Sequence, residues 1–305
     1  MICMEAVDEK FEMKVTAIAP WFGGKRNLAP EIIKLLGPHR AYWEPFCGSM
    51  AVLMAKEPCA METVNDLHGD LINLARCLQA EATAVELYAK LNRTLMCEDF
   101  YLESAARIGT LQASDAQMPD IERAYDYFIY SWLGRNGVSG TKGMGWNSYS
   151  ARFTSNGGHA AKRFISAVES IPAWHKRLQA VTILRRDGFE AVSRIEDKEG
   201  TVIYADPPYI VKGAEYVHDF TDCMHEELAA LLNRFQKTRV VVSYYEHPKL
   251  QALYPGWTKV TIDVTKSISH QGKRGANDLR ATEVLLVNQF SNNSLFSMGS
   301  TGDIR

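Results

Sequence analysis

No two cysteines stand in a Cys-x-x-Cys spacing; the six (Cys3, Cys47, Cys59, Cys77, Cys97, Cys223) are scattered along 305 residues. That scatter argues against a zinc site or a disulfide framework, and reduced thiols are the default. No metal is expected. No apolar run approaches the roughly 20 residues that a membrane-spanning helix needs, so no membrane partner is expected either. The chain does not open on an apolar leader, because acids and bases are interspersed over residues 1–14. No strong net charge is present: at −2, any polyanion would have to be met by a local patch. No Gly-x-Gly-x-x-Gly follows the first candidate strand, where Cys47-Gly48-Ser49-Met50-Ala51-Val52 stands instead, and this argues against a dinucleotide-dependent dehydrogenase. What is present is ordinary for a soluble globular chain of one large or two modest domains, with 46% hydrophobic and 23% charged residues.

The most informative stretch is Thr201–Tyr209. Thr201 to Ala205 reads as a short buried strand, and it stops at Asp206-Pro207-Pro208-Tyr209. Proline has a fixed φ and no backbone donor, so it cannot continue a central strand. A carboxylate, a carbonyl and an aromatic ring are thereby held at the carboxyl end of a strand, where open α/β sheets bind their ligands. A plain Pro-rich turn is the competing reading; Tyr209 on one side and the strand on the other favour a site.

Upstream, Ala19-Pro20-Trp21-Phe22-Gly23-Gly24-Lys25-Arg26 combines glycines that admit close backbone approach, an apolar face (Trp21) and a point charge (Lys25). The pattern predicts a helix after Leu28 that ends at Gly37-Pro38. Residues 41–46, which include Glu44 and Phe46, read as a strand. Gly48 then turns the chain into a helix through Lys56, the usual first unit of a nucleotide-binding sheet. A second strand, 61–64, ends in Asn65-Asp66. An acid about 20 residues after the glycine turn is placed to accept hydrogen bonds from ribose hydroxyls, though Asp66 could equally cap the helix that follows.

Helical spacing continues from Leu71 to about Leu133, and Tyr125, Phe128, Ile129 and Trp132 read mainly as core. Residues 127–168 then contain no acid, seven glycines between Gly134 and Gly158, and interleaved bases and aromatics. That composition suits a loop or β-ribbon contacting phosphates and bases; Arg135, Asn136, Lys142 and Arg152 are its candidate contacts, since Arg suits guanine and Asn adenine. A helix over 161–178, strands over 181–184 and 240–243, a helix over 222–235 and a last strand over 283–287 complete the alternation. Another basic, glycine-bearing stretch covers 266–280. The expected fold is α/β, a doubly wound sheet with helices on both faces and an inserted helical and β-ribbon subdomain. The expected division is a discontinuous catalytic domain (15–75 and 170–290), an insert (76–169) and flexible termini (1–14 and 291–305).

Taken together, Trp21-Phe22-Gly23-Gly24-Lys25, Glu44-Pro45-Phe46-Cys47-Gly48-Ser49, Asn65-Asp66-Leu67 with Asp70-Leu71-Ile72, Asp206-Pro207-Pro208-Tyr209 and Val241-Val242-Ser243 resemble the Dam-type DNA adenine-N6 methyltransferases (D12 class, alpha group). Their order is cofactor motif, target-recognition insert, catalytic motif, and it agrees along most of residues 19–288. The resemblance implies a Rossmann-like methyltransferase sheet and S-adenosylmethionine (SAM) as cofactor. It implies cofactor contacts at Trp21, Lys25, Glu44, Phe46, Gly48, Asp66, Asp187 and Asp206, and catalysis at Asp206, Pro207, Pro208 and Tyr209. It also implies double-stranded DNA as partner, a monomer or transient dimer as the working form, and the cytoplasm of a bacterial or phage-infected cell as location. Three departures stand out. Met50 replaces a second glycine, Pro20 a lysine, and Arg135-Asn136-Gly137-Val138-Ser139-Gly140 an Asn-Gly-Leu-like run. DNA cytosine-N4, RNA adenine and a catalytically silent DNA-binding relative are the alternatives.

Overall fold

The computed structural model describes residues 13–21, 23–110, 119–134, 160–210, 220–265 and 280–288. In chain order its elements are α1 (Ala29–Leu36), β1 (Ala41–Glu44), α2 (Ala51–Ala55), β2 (Met61–Asn65), α3 (Gly69–Gln79), α4 (Glu81–Asn92), α5 (Glu98–Thr110), α6 (Ile121–Leu133), α7 (Ala160–Leu178), β3 (Val181–Leu184), α8 (Gly188–Ser193), β4 (Thr201–Ala205), α9 (Asp222–Asn233), β5 (Arg239–Tyr245), α10 (Leu250–Leu253), β6 (Thr258–Thr265) and β7 (Arg280–Val287). This is a mixed α/β, Rossmann-like chain, and it divides into two compact units. The first comprises Met1–Ala29, Gly48–Pro58 and Asp66–Arg185; the second comprises Pro30–Cys47, Cys59–Asn65 and Arg186–Arg305.

The first unit is built on α3–α7. Phe128, Ile129 and Trp132 of α6 are buried, as their helical spacing predicts, while Tyr125 is half-buried and bonds to Thr94. Trp132 stacks on Trp174 of α7, with ring centres 6.4 Å apart. Each indole N–H donates to a backbone carbonyl of the segment before the Trp21 motif: Trp132 to Ile18 at 3.3 Å and Trp174 to Val15 at 2.7 Å. Two buried aromatic anchors therefore fix the approach to Trp21.

In the second unit the strands lie in the order β2-β1-β4-β5-β7-β6. β2, β1, β4 and β5 are parallel, and β7 runs antiparallel to both β5 and β6. All five residues of β4 are buried, as expected of a parallel strand covered on both faces. The chain runs from β1 to β2 on one side and from β4 to β5 on the other, so β1 and β4 flank the topological switch point. Their carboxyl ends, Pro45-Phe46 and Asp206-Pro207, mark the crevice where this fold binds ligands.

One strand was not expected from the sequence. β6 covers Thr258–Thr265, and Val260 and Ile262 are half-buried while Thr258, Lys259 and Thr261 are exposed. It pairs with β7 alone among the second unit's strands, and the polar residues on its outer face dilute the hydrophobic signal.

Candidate active site

In the second unit, Asp206 follows β4 directly. Ser243 of β5 donates its hydroxyl to Asp206 Oδ1 at 2.6 Å, and the Tyr204 hydroxyl lies 3.0 Å from Ser243 Oγ. A serine has one proton, and it is committed to the carboxylate. Tyr204 must therefore donate to Ser243, giving a directed chain from Tyr204 through Ser243 to Asp206. Tyr204 and Ser243 are buried. Burial first, and then the Asp206 charge, hold the Tyr204 phenol well above its ordinary pKa, so it stays a donor. The chain fixes the plane of the Asp206 carboxylate and uses one of its roughly four lone-pair sites. Ser243→Ala is expected to slow the reaction about tenfold, the scale of a lost hydrogen bond to a charged group. Cofactor affinity should stay unchanged, as steady-state kinetics and calorimetry can check.

Tyr209 is half-buried, and Pro207 before it is buried. Its phenol is held far above its usual pKa, by burial first and then by the charges of Asp206 and Glu283. Glu44, at the end of β1, is buried and accepts from the Tyr42 hydroxyl at 2.9 Å.

The loops beside these strand ends are tied together by Asn65. Its amide donates to the carbonyls of Pro45 at 2.9 Å and Arg186 at 3.0 Å, and its oxygen accepts from Arg186 N–H at 2.9 Å. Asn65 thus positions the residues that follow each, Phe46 and Asp187. Asp187 caps α8, accepting from the N–H groups of Phe189 and Glu190. Between them Gly188 lies flat against Phe46: a Cβ at Gly188 would sit 2.3 Å from the Phe46 ring. This is why glycine follows Asp187. Phe220 stacks on Phe189 (5.6 Å, 14°) and meets Phe46 edge-on (6.3 Å, 80°). These three half-buried rings pack together beside the Asp187 cap. Gly188→Ala is expected to destabilise the protein by about 1–3 kcal/mol, the usual cost of overpacking, read as a lower midpoint in chemical denaturation.

In the first unit, Trp21 meets His68 edge-on at 5.6 Å, and His68 packs on Tyr127. Gly48 has φ 44°, and a Cβ there would be 2.9 Å from the Trp21 indole nitrogen. Glycine is needed for both the turn and the close approach. Asp66 accepts from Gly48 N–H through Oδ2 and from His68 N–H through Oδ1, each at 2.9 Å. The cap of α3 is His68, whose ring nitrogen accepts from Leu71 N–H; Asp66 is not the cap. Lys25 is buried and donates to the Gly23 carbonyl at 2.7 Å. Met50, in place of a glycine, adopts the left-handed conformation at φ 59° with its side chain fully buried. The left-handed backbone costs about 1–2 kcal/mol, and burial of a Met side chain returns about 1.5–3, so the substitution is sustainable.

Arg135, Asn136, Lys142 and Arg152 lie outside the described residues, as do most of the basic stretch 266–280 and the ends of the chain. Among the described residues no helix is long and apolar enough to cross a membrane, and no group of three acid, His or Cys side chains could hold a metal ion. Sequence reasoning did not assign a site role to Tyr204, Ser243, Glu283, Asn65, Phe189 or Phe220. Ser243 and Asn65 carried a signal through the motifs that contain them; Phe220 carried none.

At the switch point of the parallel strands, then, an oriented Asp206 carboxylate is followed by Pro207 and the Tyr209 ring. Comparison with known proteins gives the class. The family model of the D12 class N6 adenine-specific DNA methyltransferases matches residues 21–269. Two curated relatives align along nearly the whole chain. The Retron Ec67 DNA adenine methylase of Escherichia coli is 26% identical over 279 residues, covering 90% of this chain and 91% of the relative. The Type II methyltransferase M1.LlaDCHI of Lactococcus lactis subsp. cremoris is 23% identical over 296 residues, covering 92% and 98%. The chain belongs to the D12 class N6 adenine-specific DNA methyltransferase family. It is thus a DNA adenine methyltransferase, and none of these matches supports the cytosine-N4, RNA or non-catalytic alternatives.

Proposed function

We propose that the chain transfers the methyl group of SAM to N6 of an adenine flipped out of duplex DNA. The observation that carries the proposal is the directed chain Tyr204–Ser243–Asp206, which presents an oriented carboxylate beside the Pro207 carbonyl. SAM, when bound, supplies a methyl on a sulfonium, an electrophile strong enough to need no covalent enzyme intermediate. The residues fit such a cofactor. Glycines at 48 and 188 let the Trp21 and Phe46 rings lie against the backbone, the rings of Phe46, Phe189 and Phe220 suit a purine, and carboxylates suit ribose hydroxyls and an ammonium. The family resemblance assigns Trp21, Lys25, Glu44, Phe46, Gly48, Asp66, Asp187 and Asp206 to the cofactor. Asp66 has lone pairs to spare beyond its two backbone bonds.

The adenine amino nitrogen is a poor nucleophile because its lone pair is delocalised into the ring. Asp206 and the Pro207 carbonyl accept the two amino hydrogens, favour a pyramidal nitrogen and aim its lone pair. The carboxylate then stabilises the positive charge that develops on nitrogen, and after the transfer the surplus amino proton passes to solvent. The Tyr209 ring offers a stacking face worth about 1–3 kcal/mol, to set against the few kcal/mol that base flipping costs. Pro208 keeps the segment rigid. Arg135, Asn136, Lys142 and Arg152 are assigned to the DNA, and the working form is a monomer, with a transient dimer as the other form considered. Incubation with methyl-labelled SAM and plasmid DNA should place label in the DNA. Label on RNA or on protein alone would overturn the reading.

A further inference from the structure

Tyr209 is held from its far end. Its hydroxyl donates to Glu283 Oε2 at 2.7 Å. Its ring meets Tyr245 edge-on at 4.5 Å and 82°, and Tyr244 at 5.7 Å. Glu283 and Tyr245 are register partners across the antiparallel β5–β7 pair. One cross-strand pair therefore grips both the hydroxyl and the ring of Tyr209. Glu283 is only 5% exposed and opens the run Glu283-Val284-Leu285-Leu286-Val287, all buried. A carboxylate in such a run is costly unless it is well bonded, so its presence calls for a task that an aliphatic residue could not perform. Burial first, and then the charges of Asp206 and Glu283, keep the phenol protonated, hence a permanent donor. A hydroxyl committed to Glu283 is also one that does not engage the substrate, so Tyr209 has its ring face to offer.

We propose that Glu283 is a positioning residue for methyl transfer: by accepting the Tyr209 hydroxyl it sets the plane of the ring on which the target adenine stacks. This rests on the reading of Tyr209 as the stacking partner. The ring is fixed before DNA arrives, so little side-chain freedom is lost on binding.

The test uses the full chain, plasmid DNA and saturating SAM under single-turnover conditions. Glu283→Leu is expected to lower the transfer rate about 30-fold, since a misplacement near 1 Å costs on the order of 100-fold. SAM affinity should remain within about twofold. Glu283→Gln retains an acceptor oxygen and should recover at least about tenfold of that loss; a purely volume-filling role would not separate Gln from Leu in this sense. Tyr209→Phe keeps the ring, removes the donor and should fall comparably, and the double variant Y209F/E283L should be no slower than the slower single, because the two residues act as a unit. A Tyr209→Phe rate within twofold of wild type, or losses that multiply in the double variant, would overturn the proposal. If Glu283→Leu does not fold, the Tyr209→Phe rate decides by itself. If the wild type labels no DNA, the functional reading fails and this proposal with it; wild-type labelling with unaffected variants sinks this proposal alone.

Discussion

Replacing Asp206 by alanine is expected to lower the single-turnover methylation rate by at least about 1,000-fold, the upper range for removing one preorganised electrostatic group from a transition state. The size follows from what the carboxylate does. On the proposed mechanism it accepts one of the two amino hydrogens, and it is the only charged group in the Asp-Pro-Pro-Tyr turn. Pro207 keeps its carbonyl in the variant, so positioning is weakened while charge stabilisation is lost. The variant also leaves the Ser243 hydroxyl, now bonded to Asp206 at 2.6 Å, without that acceptor. Asp206→Asn separates the two contributions, because the amide keeps the volume and one acceptor oxygen but not the charge. It should fall between alanine and wild type. DNA affinity and its salt dependence should change little in either variant, because that dependence counts phosphate contacts. Filter binding across a salt series, beside the rate measurement, separates the two. Turnover like that of wild type in Asp206→Ala would sink the mechanism.

The second large effect is expected at Asp66. Its carboxylate holds the Gly48 turn and the His68 N–H, both at 2.9 Å. Hydrogen bonds to a charged group are worth about 1.5–3 kcal/mol each. Asp66→Ala should therefore weaken SAM binding by roughly 30- to 1,000-fold, combining a relaxed turn against Trp21 with loss of the proposed ribose acceptor. The rate at saturating SAM should fall much less, since Asp66 has no part in the transfer itself. Calorimetric titration of SAM checks this. An affinity within threefold of wild type would show that the turn and the acid are structural only.

These two candidates stand out in the sequence for different reasons. Asp206 stands where a buried run, Thr201–Ala205, is cut by two prolines, and that local pattern fixes both the strand and its end. Asp66 stands at the end of a strand, about 20 residues beyond a glycine turn, and the spacing suggested either a ribose acceptor or a helix cap. The structure gives the cap to His68 and Asp66 to the turn. Ser243 and Glu283 were not legible as site residues. Ser243 reaches Asp206 only because β5 lies beside β4 with Tyr204 opposite Val241, and Glu283 reaches Tyr209 only because β7 pairs it with Tyr245. Strand register is a long-range property that no local pattern states. The glycine at 188 was visible, but its cause, the Phe46 ring, comes from 142 positions earlier.

If the oriented carboxylate and carbonyl of Asp206-Pro207 direct methylation to the exocyclic amino group of adenine in DNA, the identity of the product must show it. Plasmid DNA from a methylation-deficient host, treated with the protein and isotopically labelled SAM, is digested to nucleosides and separated by mass. Labelled N6-methyldeoxyadenosine, lost with Asp206→Ala, is the expected product. Labelled N4-methyldeoxycytidine instead, or N6-methyldeoxyadenosine that persists in Asp206→Ala, would contradict it.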